Sequence, residues 1–167
     1  MSPTPSLETP AVLWPKIEHV RIGMLTTTDS NGHLISRPMT NQRVDTDGRL
    51  WFFTSDESSV SHNISAEPKV NVSFVHAEDS LYVSVSGHAE QIRDKAKITE
   101  LWNPLVAAWF PAGIEDPHLV LIKVCIESAE YWDSDASKMT QLLNMTKAAL
   151  SGHAPEIKPG EHGRVIM

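Results

Sequence analysis

The residues best suited to chemistry are one arginine and a run of hydroxyls that follows it. Arg37 stands in S-R-P-M-T, and Thr54, Ser55, Ser58 and Ser59 stand in L-W-F-F-T-S-D-E-S-S. A guanidinium can hold two phosphate oxygens at once, with charge reinforcing both hydrogen bonds. Ser55 or Asp56 can cap a helix, and a helix start offers free N–H groups and a favourable dipole to an anion. Each feature alone has a plain alternative: an edge arginine bonded to a carboxylate, or serines that only cap. Together they describe a phosphate cradle. The turn D-T-D-G is expected to fold the strand carrying Arg37 back against the strand that ends at Thr54.

The elements that must hold this pair are mostly strands. V-R-I-G-M-L-T-T-T-D is rich in β-formers and is followed by N-G, a strong hairpin signal because both residues tolerate positive φ. A strand over Leu34–Val44 follows, with Pro38 marking an edge or a bulge, since proline cannot donate to a ladder. Arg49–Thr54 carries an unbroken apolar run, as expected where both faces are covered. These three strands read as a meander. Val70, Val72 and Phe74 alternate with polar residues, as do Leu81, Val83 and Val85, giving two further strands. L-V-L-I-K-V-C-I-E-S-A-E-Y-W is a sixth.

Helical spacing is expected over roughly 8–18, with a kink or restart at Pro15. It is expected again after Asp56, over 93–110 with a break or two helices at Pro104, and over 137–149. The chain reads as one mainly β (α+β) domain over 1–150, with 151–167 a polar C-terminal tail open to disorder. About six antiparallel strands with short peripheral helices point to a small, partly split β-barrel. No G-x-G-x-x-G or Walker loop is present.

Composition narrows the function further. The chain has 167 residues, a formal charge of −7 and 41% hydrophobic residues. That balance argues against a nucleic-acid or anionic-membrane surface. No run approaches the ~20 apolar residues of a membrane span, and a cytoplasmic location is expected. Cys125 is the only cysteine, so no internal disulfide forms, and its apolar context reads as a buried small hydrophobe. The eight histidines lack H-x-x-H or H-E-x-x-H spacing, so no metal site is expected. No G-x-S-x-G elbow frames a serine. Five tryptophans, among them Trp102, Trp109 and Trp132, could wall a planar ligand, fill a dimer interface or pack the core.

S-R-P-M-T, L-W-F-F-T-S-D-E-S-S, Y-V-S-V-S-G-H-A-E, W-F-P-A-G-I-E-D-P and A-E-Y-W occur in this order. In that order and spacing they resemble the general stress protein 26-like branch of the pyridoxamine 5′-phosphate oxidase-like FMN-binding split barrels. The resemblance spans roughly residues 10–135. It implies a six-stranded antiparallel split β-barrel and a homodimer with FMN at the subunit interface. By motif it implies that Arg37, Ser58 and Ser59 hold the phosphate. Pro38, Met39, Thr40, Phe53, Thr54 and Ser55 would line the ring and ribityl chain. Tyr82 would approach the flavin, and Trp109 and Trp132 would come from the partner's side. Family members often carry Lys or Arg just after the serine turn. Here Ser59 and Val60 stand there, which leaves room for FAD as an alternative.

The chemistry implied is that of a flavin-dependent oxidoreductase, in which the flavin exchanges hydride and the protein orients it. A true pyridoxine-phosphate oxidase is not expected, because only Lys138 and Lys147 follow Trp132 before the tail. The alternatives are a non-catalytic flavin carrier or sensor, and a dimeric scaffold that binds nothing.

Overall fold

The computed structural model describes residues 6–8, 10–133, 152 and 161–167. The helix expected over 137–149 lies outside them. All six expected strands form: β2 (Ile22–Thr28), β3 (Leu34–Thr40), β5 (Arg49–Ser55), β6 (Lys69–His76), β7 (Leu81–Ile92) and β8 (Leu119–Asp133). Three shorter ones join them: β1 (Ser6–Glu8), β4 (Val44–Asp45) and β9 (Glu161–Ile166). The helices are α1 (Leu13–Glu18), α2 (Ser59–Ala66), α3 (Lys95–Leu101) and α4 (Pro104–Trp109). Pro15 falls within the first turn of α1, where its missing N–H costs nothing. Pro104 opens α4 behind the cap Asn103, whose Oδ1 accepts from the N–H groups of Leu105 and Val106 at 3.1 and 3.2 Å. The break expected at Pro104 is thus a second helix.

The sheet runs β1-β9-β8-β7-β6-β2-β3, with β5 paired to the first half of β8. Its pairings are antiparallel except for β1 beside β9. No pairing joins β3 to β5 among the described residues, so the sheet curls without closing. This is a split barrel. Pro38 sits on the edge strand β3, as its missing donor requires.

The expected meander is not what forms. The stretch read as one strand to Val44 divides at Asn41–Arg43, where the backbone changes partners. The Asn41 N–H donates to the Arg21 carbonyl at 2.7 Å, while the Gln42 N–H donates to the Trp51 carbonyl at 2.8 Å. The Asn41 side chain completes the crossing, accepting from the Trp51 N–H at 3.2 Å. The turn D-T-D-G therefore closes β4 onto β5 rather than β3 onto β5.

Inward residues of the curled sheet form the main core, with Leu25, Phe52, Phe74, Val85, Ile122 and Tyr131 among its fully covered members. The opposite face of β5 and β8 meets α3 in a second cluster of Trp51, Leu119, Leu121, Ile98 and Leu101. Covering both faces explains the unbroken apolar run of β5. Cys125 is only partly buried, because the alternation of β8 turns Val124 and Ile126 inward instead. The end of the chain also differs from expectation. Residues 161–166 are a strand, ordered by six partners on β8.

Candidate functional site

Arg37 lies on the inward-facing side of the edge strand β3. Its Nη1 donates to Thr27 Oγ1 at 2.6 Å and to the Leu25 carbonyl at 3.4 Å. Thr27 is fully buried. Its Oγ1 also accepts from Asn63 Nδ2 on α2 at 2.9 Å. Arg37 therefore meets α2 across β2 through Thr27, and not through a hairpin with β5. Partial burial draws the guanidinium pKa below its ordinary value, yet arginine stays charged at any working pH. Among the described residues Arg37 pairs with no carboxylate, and its Nη2 and Nε make no hydrogen bond.

The helix that meets Arg37 is the one that begins at the serine turn. Ser58 is the cap of α2, its Oγ accepting from the Ser61 N–H at 3.2 Å and from Thr54 Oγ1 at 3.0 Å. Ser55 shapes the turn: its carbonyl accepts from the Ser58 N–H at 3.0 Å and from Ser61 Oγ at 2.7 Å. Its own hydroxyl accepts from the Glu57 N–H at 3.2 Å. Ser58 thus caps α2, Thr54 braces the capping hydroxyl, and Ser55 holds the turn before it. Ser59 is exposed at the first helical position, and the N–H groups of Ser59 and Val60 have no intrahelical acceptor there. Val60 itself is buried in the main core.

The remaining candidates separate by strand alternation. Met39 shares the inward face with Arg37 and packs against the core. Pro38 and Thr40 point to the other face, level with the exposed Met24 and Ile22. Phe53 turns into the second cluster, edge-on to Trp102 at 5.9 Å and 88°, and does not join Arg37. Tyr82 and Trp132 are cross-strand partners on the outer face, and Val75 partners Tyr82 on its other side. All three are exposed, and Trp132 stacks on His162 at 5.1 Å. Trp109 is 83% exposed at the end of α4.

Thr27 and Asn63 were not singled out from sequence. The signal for Thr27 was present: in β2 it occupies the inward set with Gly23 and Leu25, where a polar residue needs a partner. Asn63 gave no such signal. A polar triad sits beside the turn. Asp56 accepts from Arg93 Nη2 and pairs with His118 Nδ1 at 2.9 Å, and the Asp56 N–H donates to the His118 carbonyl at 2.9 Å. These bonds hold the Asp56 carboxyl below its ordinary pKa and raise that of His118.

The family model for pyridoxamine 5′-phosphate oxidase-like proteins matches residues 8–156, and the chain belongs to that family. Among its solved relatives is a general stress protein 26 from Jannaschia sp. CCS1. It is 28% identical, with a TM-score of 0.71 over 93% of this chain and 96% of that one. The general stress FMN/FAD binding protein from Xanthomonas citri is 32% identical, with a TM-score of 0.65 over 75% and 89% of the two chains. Protein bli-3 of Neurospora crassa is 28% identical over 142 residues, covering 79% of this chain and 68% of that one.

Proposed function

We propose that this protein binds a flavin, FMN with FAD as the alternative, and acts as a flavin-dependent oxidoreductase distinct from the pyridoxine-phosphate oxidases. The observation that carries the reading is Arg37, a partly buried cation with two unsatisfied nitrogens, tied through Thr27 to the helix that begins at the serine turn. A phosphate supplies what that arrangement lacks: negative charge and acceptor oxygens. The free N–H groups at the start of α2 and the Ser59 hydroxyl are suited to the remaining oxygens. The FMN/FAD-binding relative from Xanthomonas citri supports the same ligand.

In this reading Arg37 neutralises the phosphate, and Thr27 and Asn63 fix the guanidinium. Ser58 and Thr54 hold the turn open toward the ligand. Met39 and the β3 backbone at Pro38 and Thr40 border the ribityl chain and ring. A bound flavin supplies hydride exchange. The reading includes a homodimer with the flavin at its interface, in the cytoplasm. The exposed Val75–Tyr82–Trp132 row and Trp109 are surfaces for the second copy to cover. Among the described residues, no helix is long and apolar enough to cross a membrane.

The test is an absorbance and fluorescence titration with FMN, FAD and riboflavin, followed by anaerobic reduction with NADH and NADPH. Saturable binding with FMN tighter than riboflavin supports the phosphate cradle, and reduction supports the oxidoreductase. Bound flavin that every donor leaves oxidised would make the protein a carrier or sensor instead. Failure to bind any of the three would leave a scaffold.

A further inference from the structure

The turn that leads into α2 is acidic. Asp56 and Glu57 stand between Ser55 and the cap Ser58. The loop before β8 adds Asp116, whose Oδ1 accepts from the His118 N–H at 2.9 Å. A phosphate brought to the start of α2 meets the charge of all three carboxylates, and each opposes it.

One permanent cation answers them. Arg93, just past β7, bonds Asp56 through Nη2 and donates from Nη1 to the Pro117 carbonyl at 3.2 Å. The second cation depends on pH. His118 Nδ1 lies 2.9 Å from Asp56 Oδ1. An ionised carboxylate only accepts, so Nδ1 carries the proton of the neutral ring. The proton that titrates is therefore the one on Nε2, which faces Glu57 Oε1 at 3.8 Å. The backbone fixes this meeting, the Asp56 N–H donating to the His118 carbonyl at 2.9 Å.

We propose that His118 is a positioning residue for the flavin phosphate, its protonation balancing the Asp56–Glu57 turn so that FMN binds more tightly in acid than in alkali. This role presupposes the flavin site at Arg37 and the start of α2. With the imidazole neutral, Arg93 alone offsets the acidic groups; with it charged, Asp56 and Glu57 are both matched. The His118 pKa is raised from an ordinary 6.5, first by the hydrogen bond to Asp56 and then by the charge of Glu57, which moves the titration toward neutral pH. Asp56 stays ionised throughout, its own pKa being lowered, first by Arg93. Affinity is therefore highest below the raised value and falls as pH climbs through it.

Fluorescence titrations of the full-length protein with FMN and riboflavin test this, run from about pH 5.5 to about pH 8.5, either side of the usual histidine range. The parent is compared with His118→Gln and His118→Arg. The second ionisation of the phosphate, near ~6, acts on all three proteins alike and cancels in their ratios. The parent should bind FMN roughly threefold tighter than His118→Gln at the acid end, the scale of a unit charge acting at an exposed site. The two should converge at the alkaline end, while His118→Arg keeps the advantage at every pH. Riboflavin should bind all three equally, which also verifies that the variants fold. A ratio of FMN affinities that stays constant with pH overturns the role of His118, and so does a riboflavin affinity that tracks that of FMN. Absence of FMN saturation in all three proteins takes away the flavin site itself, and the role with it.

Discussion

Arg37 and Asn63 donate to one oxygen, Thr27 Oγ1, from an edge strand on one side and a helix on the other. That oxygen is fully buried, so the two donors are held where water cannot replace their acceptor. Arg37→Ala should weaken FMN binding by roughly 1.5–3 kcal/mol, the scale of a lost hydrogen bond to a charged group. Riboflavin, which lacks the phosphate, should bind the variant and the parent alike. Fluorescence titration of the two ligands checks this, and equal losses for both would remove Arg37 from the phosphate.

Thr27→Val keeps the shape of the side chain and deletes the shared acceptor. Two partly buried donors then lose that acceptor inside the barrel, and the expected cost to stability is about 1–3 kcal/mol in urea unfolding. FMN affinity should fall as well, since Arg37 loses its anchor. Thr27→Ser should restore most of both.

The close approach at Gly87 gives a sharper stability test. β7 and β8 shift register there, and a Cβ on Gly87 would stand 2.0 Å from the Cys125 carbonyl oxygen. Backbone cannot yield as a side-chain tip can, so Gly87→Ala should cost roughly 3 kcal/mol or more. Gly32, with φ +81° and nothing within 4 Å, meets only the left-handed penalty. Gly32→Ala should cost roughly 1–2 kcal/mol.

His118 makes stability depend on pH. Its pKa is raised from an ordinary 6.5, first by the hydrogen bond to Asp56 and then by the charge of Glu57. The folded state therefore holds the proton more tightly than the unfolded one. The stabilisation is complete below the ordinary value and is lost as pH rises through the raised folded value. Asp56 works the other way: its lowered pKa gives stability present above 3.8 and lost as pH falls through the folded value. Thermal melts of the parent and of His118→Gln across neutral pH should differ in slope, the variant being flatter. Parallel curves would deny His118 that role.

Much of this was legible in the sequence, and the reasons differ by element. The six main strands follow from alternation and from the N-G and D-T-D-G turns, signals that act within a few residues. The path after Thr40 was not legible, because it rests on Asn41 bonding residues twenty positions back and ten ahead. No local pattern encodes that choice. The sequence suggests that one hairpin brings Arg37 and the serine turn together, but no pairing joins β3 to β5 among the described residues, and Arg37 reaches α2 at Asn63 instead. Their link runs through Thr27, visible only as a polar residue in an inward set. Alternation along β5 also decides that Phe53 leaves the group, since it faces the same way as Trp51 and opposite to Phe52.

The outer face bears on the subunit interface. Val75, Tyr82 and Trp132 are exposed to 52%, 47% and 42%, and they lie side by side across three strands. If a second copy covers them, Tyr82→Glu should convert a dimer to a monomer in light scattering. A parent protein that is already monomeric would remove the subunit interface from the proposed function.

β1 and β9 run side by side in the same direction, Ser6 beside Gly163 and Glu8 beside Val165. A load applied through Ser6 and Ile166 would pull these strands lengthwise past one another. Their hydrogen bonds would be strained together in shear instead of opening one at a time from an end. The same load reaches β8 through the longer ladder from Ser128 to Asp133. Held in a force spectrometer, the barrel should resist traction along this axis better than traction through β3, whose free edge can peel.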